Sequence, residues 1–195
     1  MAQAAALLGC AGPFSPCAAM CRVGCCHHGA SAVVLFSPFC CWANRTTTQP
    51  ANPMVWPPGP VSREELQVWR SLRATGRDAG TVRKHGLDLR FESSCWFYSK
   101  FWRRQYSSWE PGTFRVLEQF ARGAVVLDVG AWIGPTALWA AHVARRVVAL
   151  EPATKAFEEL TANLRANPGA EAVVSPVKAA LGTADEFMGM SNEGA

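Results

Sequence analysis

The chain has 195 residues, 49% of them hydrophobic and 17% charged, which is apolar enough for one domain with a sizeable core and excludes a wholly disordered chain. Its formal net charge is +4, but Arg22, Arg45 and Arg63 are the only charges before Glu64, and the remaining basic residues nearly balance the 15 acidic ones. The body of the chain therefore has no field that attracts a polyanion, and no nucleic-acid partner is expected.

Residues 1–61 contain no Asp or Glu and are crowded with Ala, Ser, Cys and Pro, a composition typical of targeting segments. Two forms compete: an organellar transit peptide, and a secretory signal built on Arg22 and the apolar run Ala30 to Ala43. An organelle-targeted or cytoplasmic protein is expected ahead of a secreted one. The run is shorter than the roughly 20 residues that span a bilayer, and Ser37 and Pro38 interrupt it, so no membrane span is expected. Seven cysteines (Cys10, Cys17, Cys21, Cys25, Cys26, Cys40 and Cys41) and His27 and His28 fall here, but no pair has the C-x-x-C spacing that lets two thiolates share a zinc ion, and no metal site is expected. The odd number leaves a free thiol unless Cys95 joins them. Asn44-Arg45-Thr46 is a glycosylation acceptor only in a secreted chain. Pro50, Pro53, Pro57, Pro58 and Pro60 mark an extended linker. The whole of 1–61 is expected to be disordered and dispensable.

Residues 62–120 form the next unit. Ser62-Arg-Glu-Glu65 has the capping-box spacing, and Leu66, Trp69 and Leu72 follow on one helix face until Gly76. Alternation from Leu87 to Phe91 predicts a half-buried strand. Cys95 to Trp109 is dense in aromatics interleaved with Lys100, Arg103 and Arg104. Phe114, Leu117 and Phe120 then place one face of a helix against the core.

Residues 121–195 carry the motif around which the rest is organised. Ala124 to Val129 is a continuous apolar run, as in a parallel strand buried on both faces. Gly130-Ala-Trp-Ile-Gly134 is a tight turn, and Pro135 opens an apolar helix with Ala137, Leu138, Ala141 and Val143, from which His142 points outward. Arg145 and Arg146 suit that helix's C-terminal dipole. A second strand, Val147 to Leu150, ends on Glu151, and the pair makes a βαβ unit. Phe157, Leu160 and Leu164 stripe a second helix that Asn167-Pro168-Gly169 stops. Val173 to Leu181 is the third strand, with Pro176 pointing to an irregular or edge position.

Glycines allow close backbone approach to a ligand, the first helix turn offers unpaired N–H groups, and a strand-end carboxylate such as Glu151 can accept both hydroxyls of a ribose. A nicotinamide dinucleotide site, the reading of an oxidoreductase, uses G-x-G-x-x-G. Here the spacing is D-x-G-x-x-x-G, which argues against it.

This spacing, with the strand-end acid, resembles class I S-adenosylmethionine-dependent methyltransferases. LDVGAWIGPTALWAA, VVALEPATKAFEELTANLRANP and, upstream, FWRRQYSSWEPGTF resemble the FkbM-type family among them, over roughly Leu87 to Leu181. The resemblance implies an α/β, Rossmann-like fold and transfer of a methyl group from S-adenosylmethionine to a hydroxyl of a small or glycan-like acceptor. It implies a cofactor site at Asp128, Gly130, Ala131, Trp132, Ile133, Gly134 and Glu151, with Ala180 and Leu181 beside the adenine, and a cleft role for Trp109, Glu110 and Thr113. Trp109 can equally be core, and the catalytic base is unassigned. The complete fold has seven strands, so the chain reads as truncated after the third. Val125 to Val129 is then expected to have one open edge, favouring association, and the competing reading is an inactive fragment or interaction module.

Overall fold

The structure, a computed structural model, describes residues 32–36 and 62–183. In chain order it contains strand β1 (Ala32–Phe36), helix α1 (Arg63–Thr75), strands β2 (Asp78–Lys84) and β3 (Leu87–Ser93), and helix α2 (Trp96–Lys100), which runs into a π-helical turn at Phe101–Gln105. Helix α3 (Pro111–Phe120), strand β4 (Val125–Val129), helix α4 (Pro135–Ala140), strand β5 (Arg146–Leu150), helices α5 (Thr154–Ala166) and α6 (Ala170–Val173), and strand β6 (Val174–Val177) follow. The cysteine-rich stretch, Asn44 and the proline linker lie outside the described residues. Among the described residues no helix is long and apolar enough to cross a membrane.

Strands β1, β4, β5 and β6 form one parallel sheet in the order β1-β4-β5-β6. The β4-α4-β5-α5-β6 path is the α/β crossover pattern expected of a Rossmann-like fold, and β6, with Pro176, is an edge strand. The other edge differs from expectation. Val125–Val129 is not open there, because Ala32–Phe36 from the supposedly disordered leader pairs with it residue for residue, Ala32 opposite Val125 through Phe36 opposite Val129. The reason is legible afterwards: Ala-Val-Val-Leu-Phe is a short apolar, β-branched run of the kind that suits a parallel strand, hidden inside a composition that signals targeting.

Val33, Val126, Val147, Ala149 and Val174 point from the four strands into one core with Ala137, Leu138, Leu160 and Leu164 of the helices. The opposite row, Val34, Leu127, Val148 and Ser175, is only partly buried. The continuous apolar run predicted burial on both faces, whereas the described helices cover one.

The first helix has the predicted cap. Ser62 Oγ accepts from Glu65 N at 3.2 Å, Glu65 Oε2 accepts from Ser62 N at 2.9 Å, and Gly76 closes the helix with φ +72°. Strand β2 was not anticipated. It pairs antiparallel with β3 through a two-residue turn, His85-Gly86, with φ of 45° and 83°, the positive pair of a tight hairpin turn. The third strand is also shorter than the predicted Val173 to Leu181, since α6 takes its start and β6 ends at Val177.

Helix α5 fastens this hairpin to the sheet with a row of side chains at every fourth position. Glu159 Oε1 accepts from Ser94 N at 3.0 Å, Asn163 Oδ1 from Glu92 N at 2.7 Å, and Asn167 Oδ1 from Arg90 N at 2.9 Å. These groups substitute for a neighbouring strand along the free edge of β3. Asn163 also donates to Ile133 O at 2.9 Å, joining the hairpin to the glycine turn. Asn163→Ala leaves the buried Ile133 O and the part-buried Glu92 N unpaired and is expected to lower unfolding free energy by about 1–3 kcal/mol, read as a lower urea midpoint at unchanged slope. An unchanged midpoint would show that water satisfies both groups.

Candidate functional site

The glycine turn lies at the carboxyl end of β4, where the strand passes into α4. Three of its residues have positive φ: Gly130 at 76°, Trp132 at 52° and Gly134 at 94°. The glycines adopt this region freely, and a Cβ at Gly134 would sit 2.8 Å from Leu160 Cδ1. Trp132 is a bulky residue held there against its preference, the kind of strain that clusters at ligand sites.

Hydrogen bonds to β5 hold the turn. Gly130 N and Ala131 N donate to Leu150 O at 2.9 and 2.8 Å, and Gly134 N donates to Ala131 O at 2.9 Å. Glu151 takes the remaining strained amide, its Oε2 accepting from Trp132 N at 2.8 Å while Oε1 accepts from Ala153 N at 2.8 Å. Four amides of the turn are thus committed within the protein. Pro135, at the first helical position, has none to offer, and α4 is only six residues long. These four amides, all ahead of the helix, are therefore not available to a phosphate.

Two buried carboxylates flank it. Asp128, 1% exposed, accepts from Thr136 Oγ1 at 2.5 Å through Oδ2, while Oδ1 has no partner. Burial raises its pKa from an ordinary 3.8 to about 6. The Thr136 hydroxyl and Ala137 amide oppose that rise, and the Glu151 charge adds to it. Glu151, also buried, is raised by burial against the pull of the Ala153 and Trp132 amides. Each oxygen of Glu151 keeps lone-pair capacity for a further donor.

The wall over the turn is aromatic. The Trp132 ring meets Phe101 at 4.7 Å, Tyr98 at 5.6 Å and Phe97 at 6.3 Å between centroids, all edge to face. The aromatic stretch 95–109 therefore packs directly on the predicted cofactor turn. Burial pushes the Tyr98 hydroxyl up, reinforced by Cys95, Glu159 and Glu151, so it remains a protonated donor beside acidic groups.

The other predicted residues divide. Trp109 is half-buried against Phe101, Tyr106 and Phe114 and reaches Trp132 through Phe101. Glu110 stands at the start of α3 with φ 49° and ψ 50°, and its Oε2 accepts from Thr113 Oγ1 at 2.7 Å. These two residues bond to each other rather than to the turn. Ala131 and Ile133 are buried in the turn. Ala180 and Leu181 lie past the end of β6 and are exposed.

Sequence reasoning missed two supporting residues. Lys84, 1% exposed, donates from Nζ to Tyr106 O at 3.0 Å, to Ser107 O at 3.2 Å and to Trp109 O, and lies 4.3 Å from the Phe114 ring centroid. Burial lowers its pKa while Glu110 opposes that. Tyr106 donates its hydroxyl to Pro135 O at 2.7 Å. Together they tie the Trp109 loop to the start of α4. A single lysine in an unrecognised strand gave no periodic signal, although the His85-Gly86 turn could have revealed that strand.

Fold and site together define an α/β protein in which two buried carboxylates and an aromatic cluster surround a glycine turn at the carboxyl end of a parallel strand. No family model and no curated protein matches the chain. Among solved structures, wild-type Trm5b from Pyrococcus abyssi is similar at 22% identity and a TM-score of 0.35. The match covers 50% of this chain and 27% of that one, so this chain spans about a quarter of that protein's length.

Lys84→Met strips three carbonyls of their donor and is expected to cost about 1–3 kcal/mol. Lys84→Arg should fail to restore it, since a planar fork does not converge on three oxygens as an ammonium does. Thermal unfolding of both variants tests this, and full rescue by Arg would refute it. For Asp128, a folded pKa of about 6 against 3.8 means that the folded chain holds the proton more tightly. Its stabilising effect is full below pH 3.8 and is lost as pH rises to 6, a cost of about 3 kcal/mol at 1.36 kcal/mol per unit. Asp128→Asn should therefore raise unfolding free energy above pH 7 by about that amount, with the gain fading towards pH 4. Urea unfolding at the two pH values checks it, and a variant destabilised at pH 7.5 would overturn the assignment.

Proposed function

We propose that the chain contributes the cofactor-binding part of a class I S-adenosylmethionine-dependent methyltransferase. The observation that carries this reading is the commitment of the turn's amides to Leu150, Ala131 and Glu151, with Asp128 and Glu151 buried beside them. A pyrophosphate would need free N–H donors and would meet two carboxylates, so a nicotinamide dinucleotide is disfavoured electrostatically. A nucleoside cofactor with cationic groups and no phosphate suits the same surroundings. The chain's residues fit that group: Asp128 has a buried, unpartnered oxygen, Glu151 has spare acceptor capacity, and Trp132 presents an aromatic wall.

In this reading Glu151 orients ribose hydroxyls, Asp128 faces the methionine end, and Trp132 with Phe97, Tyr98 and Phe101 excludes water. S-adenosylmethionine, when bound, supplies a methyl group already activated on a sulfonium. The protein's contribution is then chiefly alignment in a dry crevice. The resemblance to the FkbM-type family, carried by Trp109-Glu110-Pro111 and the Asp128 to Gly134 motif, supports a hydroxyl of a small or glycan-like molecule as acceptor.

Calorimetry is expected to show S-adenosylhomocysteine binding more tightly than NAD. Glu151→Ala should weaken S-adenosylhomocysteine binding by about 1–3 kcal/mol, and Glu151→Gln, which keeps one carbonyl acceptor, by less. Equal affinity for the parent and Glu151→Ala would remove Glu151 from the site, and tighter NAD binding would overturn the cofactor reading.

A further inference from the structure

The two neighbours of β4 are attached very differently. β5 follows it through the short α4 crossover, whereas β1 precedes it by three helices and the β2-β3 hairpin and is separated from α1 in the sequence by residues 37–62. Only a five-residue parallel ladder with β4 joins β1 to the sheet, and its far edge has no strand partner among the described residues. One of its side chains, Val33 at 7% exposure, enters the core. A strand joined to its sheet by a single ladder belongs to the weakly held end of a protein's local stabilities.

Its position is nevertheless critical. The ladder ends with Leu35 opposite Asp128 and Phe36 opposite Val129, so β1 flanks the strand end that carries the buried carboxylate with one unpartnered oxygen. With β1 docked, β4 is held on both sides and Asp128 stays dry. Without it, the N–H and C=O groups along that edge face water or another strand.

We propose that this side of β4 is a strand-acceptor groove, filled in cis by Ala32–Phe36, and that the ligand crevice is competent only while the strand is docked. The groove takes an uncharged, extended, apolar segment of about five residues running parallel to β4. Cleavage within residues 37–61 would separate the strand from the body and switch the site off. Targeting-peptide removal compatible with activity must therefore occur before Ala32. The ligand half of the proposal rests on the cofactor reading above, while the groove itself does not.

The test uses the full 195-residue chain and its Val33→Asp and Val33→Ala variants, with and without a saturating synthetic peptide of residues 30–38. Val33→Asp places a carboxylate at the core-facing position and should speed hydrogen exchange of the Val125–Val129 amides by about tenfold or more. It should weaken S-adenosylhomocysteine binding by a similar factor, with Val33→Ala intermediate. The peptide added in trans should restore both slow exchange and binding, which a general loss of stability would not allow. Should Val33→Asp fail to fold, Val33→Ala with peptide decides. Parent-level exchange in the variants, unchanged binding despite faster exchange, or no restoration by peptide would each overturn the proposal. A parent chain that binds no S-adenosylhomocysteine defeats the cofactor reading and the gating claim, and exchange with peptide then decides the groove alone.

Discussion

The hydrogen bond from Trp132 N to the Glu151 carboxylate is the constraint on which the glycine turn and the aromatic cluster over it depend. It spans the ends of two neighbouring strands and holds a tryptophan in a backbone region that bulky residues avoid. Because Trp132 is held there, its ring is available to Phe97, Tyr98 and Phe101, and the segment before β4 acquires a surface to pack on. Without it, the turn would relax and the aromatic wall would lose its base.

That wall is fastened independently from behind. Lys84 gathers three carbonyls of the Tyr106 to Trp109 loop, and Tyr106 reaches across to Pro135. Arg103 pairs with the buried Asp78 through two bonds of 2.9 Å, tying the π-helical turn to β2. Where a helix carries an extra residue per turn, its side chains are re-aimed. Here Phe101, the first residue of that turn, is the ring closest to Trp132. The hairpin β2-β3, the loop and the glycine turn thus form one closed circuit, completed by Asn163 from α5. Asp128 sits within it at an electrostatic cost, since burial disfavours its charged form.

The parallel sheet shows how far a local reading reaches. The capping box at Ser62, the glycine at the end of α1, the β4-turn-α4 unit, the Glu151 strand end and the stripe of α5 were legible because each depends on residues within one or two turns of each other. Asp128, Gly130, Trp132, Gly134 and Glu151 converge as the βαβ spacing requires. The hairpin partner of β3 was missed because β2 mixes small and charged residues, and its turn is marked only by His85-Gly86.

What the sequence alone determined is the order of strand, turn and helix around Asp128, since periodicity and glycine placement are properties of adjacent residues. Tertiary structure alone decided the partners. That Ala32–Phe36 docks beside Val125–Val129, that Lys84 is buried beneath the Trp109 loop, and that Glu151 spends its oxygens on backbone amides are consequences of residues far apart in sequence sharing a dry interior. There, an unpaired strand edge or an unbonded amide costs more than any local preference can offset.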